Sequence, residues 1–346
     1  MTDGVDICVH RAGRVGRITL DRPKALNALT HDMALVIETA LDGWQARADI
    51  DLILVDAAGE KAFCAGGDIA FLYESGKHGD YAPGRAFWTD EYRMNAKIAD
   101  CSIPYVAIMD SIVMGGGVGI SAHGSHRVAT DRSVVAMPEC GIGLIPDVGG
   151  THVLARAPGH LGEFLGVSGW RMTGADAVLA GFADFLVPTE DLDAVKLTLA
   201  AEGNTACLEP FRMSVETAPL SAHLETIERH FGHGSALDCL LSLESDPSEF
   251  AVKIAKTIRR SSPLSVACTF EAIRRVRTLA GIRDALAQEY RFTYRAMADG
   301  DFLEGVRALL IDKDRDPHWR HARLEDVDPS EVDAILAPLG DAELVL

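Results

Sequence analysis

A chain of 346 residues, 48% hydrophobic and 24% charged, is long enough for about two domains and too rich in apolar residues for disorder. Its formal net charge of -18 repels polyanions at long range, which excludes nucleic acid and anionic membrane surfaces as expected partners. No apolar run reaches the length of a membrane span, and residues 1–6 are acidic where an export signal is basic, so the cytoplasm is the expected address.

Residues 5–20 alternate around Gly13 and Gly16 as an antiparallel hairpin does, and Asp21-Arg22-Pro23 ends it. Thr30 is placed to cap a helix over residues 31–47, in which Met33, Ile37, Ala40, Leu41 and Trp44 recur at helical spacing. The continuous apolar runs 52–55 and 105–109 read as strands covered on both faces, with shorter strands at 128–129 and 134–136. Residues 74–84 read as a polar loop and 85–99 as a helix. Thr173 and Asp176 form a capping box for the helix that precedes residues 182–187. This order implies an α/β fold with crossover connections. Beyond residue 190 helical spacing dominates, with helix starts expected at Asp246-Pro247 and Asp328-Pro329. The expected organisation is an α/β core over residues 1–190 and a mainly helical region over residues 191–346 that covers the site.

Two glycine-rich turns follow strand-like runs: Phe63-Cys64-Ala65-Gly66-Gly67-Asp68 and Met114-Gly115-Gly116-Gly117-Val118-Gly119. Glycine permits positive φ and lets bare amides approach a ligand, so two such turns can hold an oxyanion. That points to acyl chemistry. A helix starting near Gly117 would aim its positive end at the same spot. Arg22, Lys24 and Lys61 lie close by in sequence and suit a phosphorylated ligand, or are solvated loop charges.

The seven cysteines are scattered singly without a C-x-x-C pair and read as buried or free thiols. Cys64 and Cys140 sit near the glycine turns and Glu139 but lack an obvious His partner for a nucleophilic role. His230 and His233 lack acidic or Cys partners in sequence and read as a surface loop, so no metal is expected. Residues 136–151 place Glu139 and Asp147 in an apolar stretch bent by glycine and proline. Such surroundings raise carboxyl pKa values by desolvation, which suits an acid, base or nucleophile near neutral pH.

On these motifs the chain resembles the enoyl-CoA hydratase/isomerase (crotonase) superfamily, and within it the 3-hydroxyisobutyryl-CoA hydrolases. The likeness runs from Asp21-Arg22-Pro23-Lys24-Ala25-Leu26-Asn27 through both glycine turns, Glu91-Tyr92 and residues 136–150. It returns at Glu289-Tyr290-Arg291 and in residues 302–314. The resemblance implies a crotonase-like ββα spiral core with a C-terminal helical domain. It implies oxyanion donors at Gly67 and Gly116, a principal catalytic carboxylate at Glu139, Asp147 beside it and Glu91 near the acyl group. Lys24, Ala25, Leu26, Ala65 and Asp68 would contact the CoA substrate, with Lys313 meeting its phosphates. No cofactor is expected, since coenzyme A is part of the substrate, and relatives imply a trimer or hexamer.

Hydratases of this family carry a second glutamate where this chain has Gly119, and water addition needs that division of labour between two groups. Gly119 thus argues against hydration, and the resemblance to the hydrolases implies hydrolysis of a short branched 3-hydroxyacyl-CoA in valine breakdown. An enoyl-CoA hydratase or isomerase working with Glu139 alone, and a non-catalytic CoA-binding member of the fold, are the alternatives.

Overall fold

The computed structural model describes residues 6–215 and 218–346, so Val5, the expected first residue of the hairpin, lies outside them. The chain divides into two compact units that interleave along the sequence. The first holds the described residues up to Gly67, with Asp90–Ala136 and Arg171–Ala222; the second holds Asp68–Thr89, Met137–Trp170 and His223–Leu346.

All ten described strands fall in the first unit: β1 (Ile7–Ala12), β2 (Val15–Leu20), β3 (Leu52–Ala57), β4 (Ala62–Cys64), β5 (Tyr105–Met109), β6 (Ile112–Met114), β7 (His126–Thr130), β8 (Val134–Ala136), β9 (Met172–Thr173) and β10 (Phe185–Val187). They form a six-stranded sheet in the order β1-β2-β3-β5-β7-β10 and a four-stranded sheet in the order β4-β6-β8-β9. Strands β3, β5 and β7 enter the first sheet, and the next strand of the chain in each case enters the second. This alternation is the spiral. From β2 to β10 the larger sheet is parallel, and β1 closes its edge as the antiparallel partner of β2.

The apolar runs behave as parallel strands should, since Leu52, Ile53, Leu54 and Val55 are all fully buried. Alternate residues Leu52, Leu54, Val106, Ile108 and Val128 pack with Leu192, Val195 and Leu199 of the helix Leu192–Glu202. The hairpin turns at Gly13, with φ 62. Gly16 lies inside β2, where a Cβ would come within 2.7 Å of the Trp44 ring. Trp44 belongs to the helix His31–Gln45, capped as expected by the Thr30 hydroxyl, which accepts from the Met33 N–H. Thr173 and Asp176 form their capping box at the start of Gly174–Leu179.

Three expectations give way to packing. Residues 74–84 are not one loop: helices Ala70–Gly76 and Ala82–Ala99 cover most of them. Pro83 sits in a first helical turn, where its missing N–H is harmless. Gly76 and Gly84 serve close contacts, because a Cβ would come within 2.7 Å of Leu303 or 2.4 Å of Met297. The helix after the second glycine turn is only Gly116–Gly119, a single turn too short to build a macrodipole. The helix expected at Asp246-Pro247 starts at Glu249 with Ser248 as its cap, whereas Pro329–Ile335 begins at the expected Asp328. Among the described residues no strand follows Val187, and no helix is long and apolar enough to cross a membrane.

Candidate active site

Strands β4 and β6 are parallel neighbours, with Ala62 opposite Ile112 and Cys64 opposite Val113. Adjacent strands lie about 4.8 Å apart, so the turns leaving their C-terminal ends emerge side by side. In the first turn Gly66 has φ 117, a conformation closed to residues with a Cβ. Its carbonyl accepts from the Leu29 N–H at 2.8 Å, and the Ala65 N–H donates to the Leu26 carbonyl at 3.1 Å. In the second turn a Cβ on Gly116 would lie 3.3 Å from the Gly67 nitrogen and 2.9 Å from Glu91 Oε1. One on Gly117 would overlap the Cys64 carbonyl oxygen at 2.3 Å. The two glycine turns and the Glu91 carboxyl therefore meet at one place, and glycine there is required by the closeness of the backbones.

Glu91 is buried on the helix Ala82–Ala99. One helical turn on, Asn95 is 0% exposed, and neither atom of its amide has a hydrogen-bond partner among the described residues.

The other two expected acids lie in the second unit. Glu139 opens the 3-10 turn Glu139–Ile142, which ends at Gly143 with φ 74. Two glycines bring this turn onto the segment after Asp299: a Cβ on Gly143 would meet the Asp301 carbonyl carbon at 2.4 Å, and one on Gly305 the Ile142 carbonyl oxygen at 2.2 Å. The Asp301 carboxylate accepts from Ser262 Oγ at 2.6 Å and the Arg320 N–H at 2.8 Å, while the Ser262 N–H donates to the Cys140 carbonyl at 3.0 Å. The motif around residues 301–305, noticed in sequence only as a likeness, thus supports the turn that carries Glu139.

Glu139 is 5% exposed, and its Oε2 has no hydrogen-bond partner among the described residues. Burial first, then the charges of Asp147 and Glu289, push its carboxyl well above the usual range. Asp147 is equally buried and precedes Val148 and Gly149, both left-handed, with φ 53 and 78. Glu289, fully buried on the helix Ile282–Asp299, accepts from the Gly149 N–H at 2.7 Å, the Thr151 N–H at 2.9 Å and the Thr151 hydroxyl. Burial pushes Glu289 up to about 8, with those donors opposing and Asp147 adding to the rise. Three carboxyls therefore form one electrostatic cluster.

The remaining expected positions are more scattered. Lys24 and Ala25 lie exposed in the short turn Pro23–Ala25, and Leu26 follows at φ 52. Ala65 is half-buried beside it, and Asp68 is half-buried just before the helix Ala70–Gly76. Lys313 is exposed at φ 59 in the second unit. Burial pushes the Cys64 and Cys140 thiols up to about 12, which removes them as nucleophiles at neutral pH. His230 is a correction: it is buried in the helix Leu224–Phe231 and hydrogen-bonds Ser242 and Asp246, because its position falls on the apolar face. Among the described residues no group of three or more His, Cys, Asp or Glu is gathered for a metal ion.

Glu289 and Asn95 have no role in the sequence reading, yet a signal for both exists. Each occupies the apolar stripe of its helix, Glu289 among Ala285, Leu286, Phe292 and Ala296, and Asn95 among Trp88, Tyr92 and Ile98. A polar residue at such a position demands an explanation.

Residues 15–336 match the family model described as enoyl-CoA hydratase/isomerase. The chain is 40% identical over 352 residues to the mitochondrial 3-hydroxyisobutyryl-CoA hydrolase of Gallus gallus, covering 99% of this chain and 91% of that one. It is also 40% identical to the Rattus norvegicus protein of the same name, with the same coverage. A solved structure described as an enoyl-CoA hydratase from Rhodobacter sphaeroides 2.4.1 matches with a TM-score of 0.95 and 47% identity, covering 99% of this chain and 100% of that one. The cytoplasmic expectation is overturned here, because the curated relatives are mitochondrial by name; an acidic start to the chain was too little to carry an address. The spiral of paired strands, the two glycine turns and the full-length likeness lead to one conclusion: the chain belongs to the enoyl-CoA hydratase/isomerase, or crotonase, family.

Proposed function

We infer that the protein hydrolyses the thioester of a short branched 3-hydroxyacyl-CoA, converting 3-hydroxyisobutyryl-CoA to 3-hydroxyisobutyrate and CoA, a step of valine breakdown. The observation that carries the chemistry is the meeting of the two glycine turns at Gly116, and the likeness to hydrolases over 99% of the chain supplies the acyl group. Backbone donors at Gly67 and Gly116 take the thioester carbonyl oxygen as it becomes an oxyanion, each such donor contributing about 3 kcal/mol to the transition state. Glu91 beside Gly116 takes the substrate hydroxyl. Lys24, Ala25, Leu26, Ala65, Asp68 and Lys313 contact the CoA portion, and no further cofactor is needed.

Glu139 provides the carboxylate that attacks the carbonyl carbon or takes a proton from the attacking water. In the first route an Oε–C bond forms, the C–S bond breaks to release CoA, and water then cleaves the mixed anhydride. In the second Glu139 takes a proton from water as the water oxygen bonds directly to carbon, and the C–S bond breaks to release CoA. A single turnover in oxygen-labelled water separates them, because label in the Glu139 carboxylate arises only from the anhydride. Asp147 orients Glu139 or the water.

A hydratase reading has the description of the Rhodobacter sphaeroides structure in its favour. Against it stands Gly119, which leaves no second carboxylate at that position to share the proton transfers of water addition. Thiol release from 3-hydroxyisobutyryl-CoA and from crotonyl-CoA decides between them: CoA-SH from the first substrate is expected. Loss of the crotonyl double bond without thiol release would overturn the hydrolase reading.

A further inference from the structure

Glu289 has no part in the hydrolysis as described. We propose that Glu289 is a positioning residue, which holds the turn carrying Asp147 in its strained form. The proposal rests on the reading of Glu139 as the reacting carboxylate.

The turn has a defined conformational problem. Val148 is β-branched and has φ 53, a region in which such a side chain is strained. A conformation of this kind persists only where the surroundings over-determine it. The Asp147 carbonyl accepts from the Gly150 N–H at 2.6 Å, which closes the turn locally. Glu289 closes it from 140 residues away, taking the Gly149 N–H on Oε2, and the Thr151 N–H and hydroxyl on Oε1.

A carboxyl group places one oxygen against the Gly149 N–H and the other against the Thr151 N–H and hydroxyl. A glutamine in its place would turn an NH2 group towards one of those donors. Burial pushes the carboxyl up to about 8, and the donors from residues 149–151 oppose that rise, so the bracing contacts and the burial act against each other at this position.

Other charged groups on the elements packed against the helix Ile282–Asp299 are mainly committed to partners. On Pro263–Val276 Arg275 pairs with Glu271 and with Asp333 of Pro329–Ile335, where Glu331 also meets His321. On Phe302–Val306 Glu304 pairs with Arg307. On Gly150–Leu154 burial lowers His152 to about 4, so it is neutral at working pH. On the helix itself Arg291 pairs with Glu343, and Arg295 donates to the Ile335 and Ala337 carbonyls. The acids therefore respond chiefly to one another.

The test compares Glu289→Gln, Glu289→Asp and Thr151→Val with the unaltered protein in thiol release from 3-hydroxyisobutyryl-CoA across pH. Misplacing the turn is expected to lower kcat by about 10–100-fold in E289Q, with KM within about 3-fold. Because Glu289 keeps its proton below about 8, the acidic limb of the pH profile is expected to stay in place in E289Q. E289D, which keeps the carboxyl on a shorter arm, is expected to lose kcat as well. T151V removes only the hydroxyl donor, and a smaller kcat loss is expected. Folded E289Q with kcat within about 3-fold of the parent, or with KM raised as much as kcat falls, overturns the proposal. Should E289Q not fold, E289D decides: an undiminished kcat overturns it. Failure of the unaltered protein to release thiol would instead defeat the hydrolase reading itself.

Discussion

The two packing units carry different kinds of proposed site feature. In the first, the proposed oxyanion donors are backbone: Gly67 and Gly116 stand at the ends of neighbouring strands, and the absent side chains are what matter. In the second, they are side chains: Glu139, Asp147 and Glu289 are buried carboxyls whose behaviour comes from what surrounds them. A backbone donor is spoiled by adding an atom, and a tuned acid by altering charge. Substitutions should therefore fail in different ways in the two units.

The largest effect is expected from Glu139→Gln, which removes the proposed reacting carboxylate while keeping its shape. Thiol release should fall about 10²–10⁴-fold with the circular dichroism spectrum unchanged, and a fall below tenfold would break the assignment. Next comes Gly116→Ala, whose methyl would press on Glu91 and the Gly67 amide. A loss of about 10²–10³-fold in kcat is expected. Gly141→Ala sharpens the contrast: it lies two residues from Glu139, but its Cβ would meet nothing within 4 Å, so activity should stay within about 2-fold.

A smaller effect concerns stability. Glu289, raised to about 8, keeps its proton in the folded state at pH values where the unfolded chain has lost it. Its contribution to stability is therefore present below the usual carboxyl range and is lost as pH rises towards about 8. Urea midpoints measured at pH 5 and pH 8 should differ less in E289Q than in the parent protein. An equal difference would mean that Glu289 does not titrate with folding. The smallest effect is expected from alkylation: with the Cys64 and Cys140 thiols buried and raised to about 12, iodoacetamide at neutral pH should leave thiol release intact.

Much of the fold was legible where one local rule governed. The Thr30 cap, the Thr173–Asp176 capping box and the doubly buried strands lie where spacing and side-chain chemistry put them. Local rules failed where a residue answers to a distant neighbour. Gly76 and Gly84 look like loop residues until Leu303 and Met297 lie against them, and His230 looks exposed until Ser242 and Asp246 accept it into the helix face. The acid stretch was readable at Glu139 and Asp147 but not at Glu289, whose partners are 138 and 140 residues away.

What the order of residues alone settled is the supply of parts: glycine where φ must be positive, carboxylates in an apolar bend, and alternating strands and helices. These depend on sterics and solvation within a few residues. Which parts meet was decided only by tertiary structure. The pairing of β4 with β6 sets Gly67 against Gly116, and the helix Ile282–Asp299 brings Glu289 to Thr151. Such contacts join segments far apart in the chain, and they hold because strand hydrogen bonding and the burial of one apolar face must be satisfied across the whole unit at once.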